Sequence, residues 1–442
     1  MPNIADIHAH EILDSRGSPT LSVRVHLVDC TMAEAAVPSG SSTGEREAVE
    51  LRDGDAKRYS GRGVLKAVTN VREIIAPRLR GIEVSQQRKV DHMLRQLDGT
   101  PDKSRLGANA LLGVSLAVAR AAAAAQRVPL YAHLGHLSGR TDVERERTPY
   151  VLPAPQIAVI NGGTHANNTL DVQEFMLWPL GAPTFAEAVR WGAEIFQVLK
   201  SLLQRRGLST AVGDAGGFAP DLRSTEDALE IITEAIQGAG YSAGGEVAIA
   251  VDLAASELVV NGAYSFKKAK QTPKSAEKLI ATYRDWQTSF PVRSIEDGMG
   301  EHDRAGWKDL TEALGKKVQL VGDDVFATNP TLLSGGIKDG IANAVVIKPN
   351  QIGTLSETLD AIRLARDSGY GIVVSGRSGE TEDTFIADLA VGTSAGQIKT
   401  GALTRSERLA KYNRLLTIER ELGVYAVYGG KLLRRNGNGV TP

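Results

Sequence analysis

Three consecutive apolar runs in the second half of the chain end in acidic residues. Asp252 follows VAIAV, Glu296 follows VRSI and Asp323 follows QLVG. If these runs are strands of one barrel, the three carboxylates meet at one mouth, where the catalytic groups of such barrels lie. Their mutual repulsion is relieved by a hard dication held by oxygen atoms. A single acid of this kind is more often a helix cap or turn residue, but three in one register predict a Mg²⁺ site.

The next apolar run, AVVIK, ends in Lys348. We expect its side chain at the same mouth, where burial and a nearby dication both lower the pKa of a lysine. A neutral lysine in that position could act as a general base. The alternative is a salt bridge between Lys348 and the acids, and the two roles are compatible.

Basic and hydroxyl-bearing residues follow the last two runs. The turn SGRSGE (375–380) offers Arg377 and Ser378, and IKTG offers Lys399. An arginine fork with backbone amides suits a phosphate or a carboxylate. The series of acids followed by cations therefore predicts a metal on one side of the mouth and an anionic substrate on the other. This favours removal of a proton next to a carboxylate, with the metal stabilising the negative charge that develops.

The elements that must position these residues alternate along the chain. Short apolar runs separated by helical segments lie at 155–163, 171–180, 210–217, 246–254, 292–298, 318–324, 342–350, 371–379 and 396–402. Continuous apolar runs suit strands that are covered on both faces. One intervening helix, 354–369, begins with a capping box of Thr354 and Glu357. The alternation predicts a parallel sheet that closes as a (β/α)8 barrel.

The first part of the chain has a different pattern, which predicts a smaller α+β domain. TLSVRVHLV (20–28) alternates like a strand, and the loop 37–47 is rich in Gly and Ser. The polar segment 139–149 is the predicted linker. We therefore expect an N-terminal domain over 1–138 and the barrel over 139–442.

The composition is that of a soluble globular protein, with 442 residues of which 42% are hydrophobic and 23% charged. The formal net charge is −1 and no basic stripe with interleaved aromatic residues is present, which argues against nucleic acid as a partner. The N-terminus lacks the pattern of a secretory signal. The Ala-rich stretch 111–130 contains Arg120 and Arg127, which predicts a buried helix rather than a membrane span. With one cysteine, Cys30, these features predict a cytoplasmic protein.

The chain resembles the enolase family over nearly its whole length. The resemblance implies an enolase-like α/β fold, with a smaller N-terminal α+β domain and a modified eight-stranded (β/α)8 barrel. It also implies Mg²⁺-dependent dehydration of 2-phosphoglycerate to phosphoenolpyruvate, two bound Mg²⁺ ions, and a homo-oligomer that is a dimer or larger. The motifs that carry it are ILDSRGSPT (12–20), AAVPSGSSTGEREAVELRDGD (35–55), LGANALLGVSLAVARA (106–121), INGGTHANN (160–168), QEFM (173–176), SIEDG (294–298), GDD (322–324), IKPNQIGTLSET (347–358), SGETEDTFIADLAVG (378–392) and GQIKTGALTRSERLAKYN (396–413).

By matching position, the resemblance also implies roles for individual residues. Lys348 would take the C2 proton, and Ser42 lies in the mobile loop that closes over a second Mg²⁺. The tighter Mg²⁺ would be held by Asp252, Glu296 and Asp323. The substrate would be lined by His165 and Glu174 as further catalytic groups and bound by Ser375, Gly376, Arg377, Ser378 and Lys399.

Four positions depart from the family pattern. Enolases have a glutamate, the acid for the departing hydroxyl, where this chain has Ala215, and a histidine where it has Gly376. Both departures lie on the leaving-group side, where the departing hydroxyl would be protonated. The residues expected to hold the metal and to take the C2 proton are all present. The family often also has a glutamate and an arginine that pair across its dimer interface, and this chain has Ser22 and Thr417 there.

Three functions are compatible with these residues. The favoured one is a specialised lyase for an altered 2-phosphoglycerate, similar to carboxyphosphonoenolpyruvate synthase of phosphonate biosynthesis. The second is an ordinary phosphopyruvate hydratase of glycolysis that uses Glu174 or His165 as its acid. The third is a non-catalytic binding protein with the same fold. The selective losses favour the first, because a decaying site would also lose its clustered acids, which destabilise a fold when they have no ligand.

Overall fold

The computed structural model describes residues 1–40, 44–139 and 149–435. Its strands, β1 to β15 in chain order, are Ile4–Leu13, Pro19–Leu27, Met32–Ala36, Tyr150–Leu152, Ala154–Asn161, Glu174–Trp178, Ala248–Asp252, Val259–Val260, Ala263–Tyr264, Val292–Glu296, Gln319–Gly322, Ala344–Ile347, Gly371–Ser375, Gly396–Lys399 and Ala426–Tyr428.

The α-helices, α1 to α15, are Leu65–Thr69, Ala76–Leu79, Gln87–Asp98, Ala108–Gln126, Leu130–Leu137, Phe185–Arg205, Thr225–Gly238, Ala276–Ser289, Arg304–Leu314, Pro330–Asp339, Pro349–Ile352, Leu355–Asp367, Phe385–Gly392, Ser406–Leu422 and Gly429–Arg435. A π-helical segment, Asn70–Ile75, joins α1 to α2. Short 3₁₀ turns lie at Tyr59–Gly61, Gly163–His165, Ala255–Leu258 and Gly423–Tyr425.

The N-terminal domain is an antiparallel sheet covered by helices, which confirms the predicted α+β character. β1, β2 and β3 pair in that order, and Val23 and Val25 of β2 are buried against the helical layer. The central helix α4 packs on β2 and β3. It is long and apolar enough to cross a membrane by length and composition alone, but 83% of that stretch is buried inside the protein.

Eight strands close the predicted barrel in the order β5, β6, β7, β10, β11, β12, β13, β14. Helices cover its outside, so the strands are buried on both faces, as the continuous apolar runs predicted. The predicted N-cap is present, because Thr354 Oγ1 accepts a hydrogen bond from the Glu357 backbone N–H at the start of α12, and the Glu357 carboxylate accepts from the Thr354 hydroxyl at 2.6 Å.

The sheet is not entirely parallel, which corrects the prediction. β6 runs antiparallel to β5 and β7, with Glu174 opposite both Asn161 and Asp252, whereas the other six neighbouring pairs are parallel. The physical reason is the connection between β5 and β6. It is a loop with only the turn Gly163–His165 and no crossover helix, so the chain turns back instead of returning to the same end.

The prediction of a strand at 210–217 is also wrong, because this segment is a loop. Val212 forms a single bridge with Phe218, and the Gly213 N–H bonds to Gly217 O at 2.8 Å, which closes a tight turn. Gly216 adopts a φ of 86°, a left-handed conformation that glycine tolerates best. The turn nevertheless carries Ala215 to the barrel mouth.

Buried polar contacts hold the N-terminal domain on the barrel. Asp91 of α3 accepts hydrogen bonds from the backbone N and the Oγ of Ser356 in α12, at 2.8 and 2.6 Å, and from Ser115 Oγ at 2.6 Å. Burial raises the pKa of Asp91 against the effect of these bonds. The same two helices also share a more exposed ion pair, in which Arg88 Nη2 lies 3.0 Å from Asp360 Oδ1.

We expect Asp91→Ala to lower the free energy of unfolding by about 3 kcal/mol, because it leaves the buried Ser356 N–H and two hydroxyls without their acceptor. The matched control is Asp360→Ala, which removes the exposed pair between the same helices and should cost at most about 1 kcal/mol. Urea denaturation followed by circular dichroism measures both. Equal losses in the two variants would show that the buried contact does not hold the domains together.

Candidate active site

The residues singled out by sequence lie together at the mouth of the barrel. Asp252, Glu296 and Lys399 end their strands, and Asp323 and Lys348 directly follow theirs. Glu174 reaches the same mouth as the first residue of β6, because that strand runs in the opposite direction. Glu296 contacts Lys399 of the cavity lining. One cavity is lined by all of the other described candidates, namely His165, Glu174, Ala215, Asp252, Asp323, Lys348, Ser375, Gly376, Arg377, Ser378 and Lys399.

Two sequence-based predictions fall wholly or partly outside the described residues. Ser42, the residue predicted to lie near a second Mg²⁺, is one of them, together with its two neighbours in the loop 37–47. Nearly all of the predicted linker 139–149 is outside as well. Both therefore stay predictions.

Lys399 is the central cation of the site. Its Nζ donates to Asp252 Oδ2 at 2.6 Å and to Glu296 Oε1 at 2.9 Å, and it lies 3.5 Å from Glu174 Oε2. Burial alone lowers the pKa of Lys399, but the three surrounding carboxylates outweigh it and hold the pKa well above its usual value. Lys399 is therefore charged and partly neutralises three acids from three strands.

Lys348 forms a second ion pair, with Asp323. Gln351 Nε2 also donates to Asp323 Oδ1, at 2.8 Å. Burial lowers the pKa of Lys348, but the charge of Asp323 more than offsets it, so these protein groups together raise the pKa. The lowered pKa expected for this lysine is thus not produced by its protein neighbours, and it requires a further positive charge beside Asp323.

Glu296 is the acid whose surroundings best fit a metal ion. Burial raises its pKa well above the usual value, and repulsion from Asp252 and Asp323 adds to this. Its Oε2 is buried and has no hydrogen-bond partner in the part of the chain that the structure describes. An oxygen-coordinated dication would satisfy that atom and relieve the repulsion, so these acids fit Mg²⁺.

A second group of acids, which sequence reasoning missed, lies beside the first. Asp297, Asp323 and Asp324 each offer an oxygen within 4.8 Å of the others. Both oxygens of Asp297 already accept backbone N–H bonds, from Asp323 at 2.8 Å and from Asp324 at 3.1 Å. Asp297 therefore orients the turn after β11. The sequence did contain a signal for Asp297 and Asp324, since each is the second acid of its motif, IED or GDD.

His165 and Glu174 form a buried pair beside Lys399. His165 Nδ1 lies 3.0 Å from Glu174 Oε1. Burial raises the pKa of Glu174, but Lys399 and His165 outweigh it and lower the pKa to about 2. Glu174 is therefore ionised at neutral pH and is a poor proton donor by itself.

Lys268, which the sequence did not single out, holds the loop that carries His165. Its Nζ donates to Gly163 O at 2.6 Å and to Ala166 O at 2.8 Å. Asp171 fixes the lysine in turn by accepting the backbone N–H groups of Lys268 and Ala269. Nothing in the local sequence marks this residue, because the loop and the lysine are about a hundred positions apart.

The predicted anion-binding arginine has a partner from the N-terminal domain. Arg377 Nη1 donates to Glu47 Oε2 at 2.8 Å, and the Arg377 backbone N–H donates to Glu380 Oε1 at 2.9 Å. Arg16 Nη1 lies 3.4 Å from Ser378 Oγ. Both domains therefore contribute to this side of the cavity, and Glu47 is a further residue that sequence reasoning missed.

The two departures at the site lie in different surroundings. Ala215 is buried and its carbonyl accepts from the Ala402 N–H at 2.8 Å. A β-carbon at Gly376 would lie 3.0 Å from Glu380 Oε1. That carboxylate is itself fixed by the Arg377 N–H and by Lys411 Nζ at 2.9 Å. A side chain at position 376 would therefore have to displace a buried, bonded group by a few tenths of an ångström.

The two departures away from the site make contacts within the chain. Ser22 Oγ donates to Glu34 Oε1 at 2.5 Å. Thr417 Oγ1 donates to Asn413 O at 2.9 Å, one turn earlier in α14.

Comparison with protein-family models agrees with the fold. The model of the enolase N-terminal domain matches residues 4–134, and the model of the enolase C-terminal TIM barrel domain matches residues 149–436. Enolases are generally Mg²⁺-dependent, in agreement with the acidic clusters at this barrel mouth. The two matches together cover most of the sequence, and the chain therefore belongs to the enolase family.

Proposed function

We propose that this enzyme is a Mg²⁺-dependent lyase that removes water from a 2-phosphoglycerate-like substrate carrying an additional group, as carboxyphosphonoenolpyruvate synthase does. The observation that carries the proposal is an asymmetry of the cavity. Buried acids and lysines are paired on one side, whereas Ala215 and Gly376 present no proton donor on the other. Such a selective change fits an altered substrate better than general decay, because the costly buried acids are retained.

The metal would be held by Asp252, Glu296 and Asp323. When bound, Mg²⁺ supplies the positive charge that stabilises the product of proton removal and lowers the pKa of a neighbouring lysine. Lys399 is the cation placed to bind the substrate carboxylate, and Lys348 is the base for the C2 proton. The C2 proton passes to Lys348, the C2–H electron pair forms the C2–C3 double bond as the C3–O bond breaks, and the departing hydroxide takes a proton from solvent water, since Ala215 and Gly376 offer no donor.

An ordinary phosphopyruvate hydratase is the second candidate, and the His165–Glu174 pair favours it. Ionised Glu174 orients the His165 ring at 3.0 Å, so the pair could protonate the departing hydroxyl without a glutamate at position 215. The non-catalytic alternative is disfavoured by the buried, repelling acids, which a binding protein without a metal would have no reason to keep.

We expect Glu296→Gln to weaken Mg²⁺ binding by more than the roughly 10–100-fold effect of residues that only orient metal ligands, because it removes a direct ligand. Asp324→Asn is the matched control, since it neutralises a neighbouring half-buried acid outside the proposed ligand set. Isothermal titration calorimetry measures both affinities. The ligand assignment is wrong if Asp324→Asn abolishes binding while Glu296→Gln retains it, because the second acidic group would then hold the ion.

We expect Lys348→Ala to stop exchange of the substrate C2 proton with D₂O while substrate binding is largely retained, since the base is lost but the anion-binding groups remain. Lys399→Ala should behave differently and weaken binding itself. Proton NMR follows the exchange, and calorimetry follows the binding. Exchange at the wild-type rate in Lys348→Ala would assign the base to another group.

We expect the wild-type enzyme to dehydrate 2-phosphoglycerate more slowly than ordinary enolases by roughly 10²–10⁴-fold, the usual contribution of a general acid. Ala215→Glu combined with Gly376→His should restore more activity than the two single variants predict, because groups that act as a unit are non-additive. Gly376→Ala is the control for displacement of Glu380. Steady-state rates are the measurement, and a wild-type rate typical of glycolytic enolases would favour the second candidate.

A further inference from the structure

A buried arginine connects the two turns in which the family's leaving-group residues are missing. Arg408 Nη2 donates to Asp214 O at 3.0 Å, next to Ala215, and to Ser378 O at 2.7 Å. Its Nη1 donates to Arg377 O at 2.6 Å, next to Gly376. Arg408 is only 2% exposed, yet it contributes to the lining of the same cavity.

Two hydrogen-bond donors on this side of the cavity are left without an acceptor. Arg408 Nε and Thr400 Oγ1 are buried and have no hydrogen-bond partner among residues 1–40, 44–139 and 149–435. Arg408 Nε lies 3.5 Å from Glu407 Oε1, beyond a good hydrogen bond, and that oxygen already accepts from Arg405 Nε at 2.9 Å. A buried donor without an acceptor costs free energy, and these two belong to residues that line one cavity, where a ligand group could satisfy them.

The residues that carry these donors adjoin the turn that holds Ala215. A β-carbon added at Gly401, the residue after Thr400, would lie 2.7 Å from both Ala215 O and Arg408 Cδ. Ala215, Gly401 and Arg408 are therefore in direct contact. Replacing a glutamate by Ala215 removes a carboxylate and its negative charge from this part of the cavity lining.

The charge of Arg408 is buried, and Glu407 Oε1 lies 3.5 Å from its Nε. Burial lowers its pKa even though Glu380, Glu407 and Glu174 act in the opposite direction. Its other side-chain bonds go to backbone carbonyls, which are neutral. An anionic group at this place would therefore gain both a charge partner and two hydrogen bonds.

We propose that Thr400 and Arg408 bind an additional carboxylate of the substrate, in the space beside Ala215. The proposal rests on the proposed function and names the substrate class, a 2-phosphoglycerate analogue with an extra carboxylate near its leaving-group side. The substrate itself supplies the negative charge that other members of the family carry on the glutamate at this position. Thr400 and Arg408 determine specificity and are not assigned a role in proton transfer.

A pair of small probes tests this proposal on the full-length wild-type protein with Mg²⁺. Phosphonoformate carries a carboxylate on phosphorus, and methylphosphonate has the same head group with a methyl in its place. Calorimetry should show tighter binding of phosphonoformate. Thr400→Val keeps the side-chain shape without the hydroxyl, and it should reduce that preference by about tenfold. Thr400→Ser retains the hydroxyl and should retain the preference.

Two further variants make the test independent of Thr400. Ala215→Glu should abolish the preference, because its carboxylate occupies the space and repels the probe. Arg408→Lys keeps the charge but loses Nε and should reduce the preference, provided that its circular dichroism spectrum and melting temperature match the wild type. Any affinity of the probe carboxylate for Mg²⁺ itself is common to all variants and cancels in the comparison.

Retention of the full preference in Thr400→Val and Ala215→Glu would overturn the proposal and leave the proposed function standing, since the extra group would then bind elsewhere. Absence of any preference in the wild type would overturn it as well. That result alone would leave the proposed function standing. The proposed function fails only if the wild type also dehydrates 2-phosphoglycerate as fast as ordinary enolases do.

Discussion

The structure of the barrel mouth depends on compensating the charge of buried carboxylates. Asp252, Glu296 and Glu174 come from three neighbouring strands, and each would be strongly destabilised if it were desolvated alone. Lys399 contacts all three, so the closing of the barrel, the reversed β6 and the position of β14 are linked through one ammonium group. One cation cannot balance three anions, and the excess appears at Glu296, whose pKa is raised well above its usual value.

The same excess of negative charge explains why the proposed metal and the two lysines depend on each other. Each lysine at the mouth is engaged by an acid, Lys399 by Asp252 and Lys348 by Asp323. A lysine in such a pair is neither a base nor a free anion receptor. Releasing either one requires another positive charge next to the acids, which is the contribution expected of a dication. These ion pairs are compatible with the proposal that a dication beside the acids frees both lysines for their proposed roles.

Much of this arrangement could be predicted from sequence, because strand ends and buried strands leave local patterns. The acids, Lys348 and the closed barrel follow from apolar runs that end in polar residues. The direction of β6 could not be predicted, since a strand covered on both faces reads alike in either direction and only its connections set its sense. The absence of a strand at 210–217 could not be predicted either, because apolar residues before a Gly-rich turn are also typical of a strand end. Contacts between remote segments, such as Glu47 with Arg377, leave no local signal.

The contrast between the two sides of the cavity bears most directly on what the enzyme acts upon. Among the described residues, an acceptor on the metal side, Glu296 Oε2, has no hydrogen-bond partner, whereas on the leaving-group side two donors, Arg408 Nε and Thr400 Oγ1, have none. Random loss of a catalytic acid would leave such donors as a cost to folding, and further substitutions would relieve it. The presence of these donors near Ala215 fits a site that is completed by two ligands, a cation on one wall and an anion on the other.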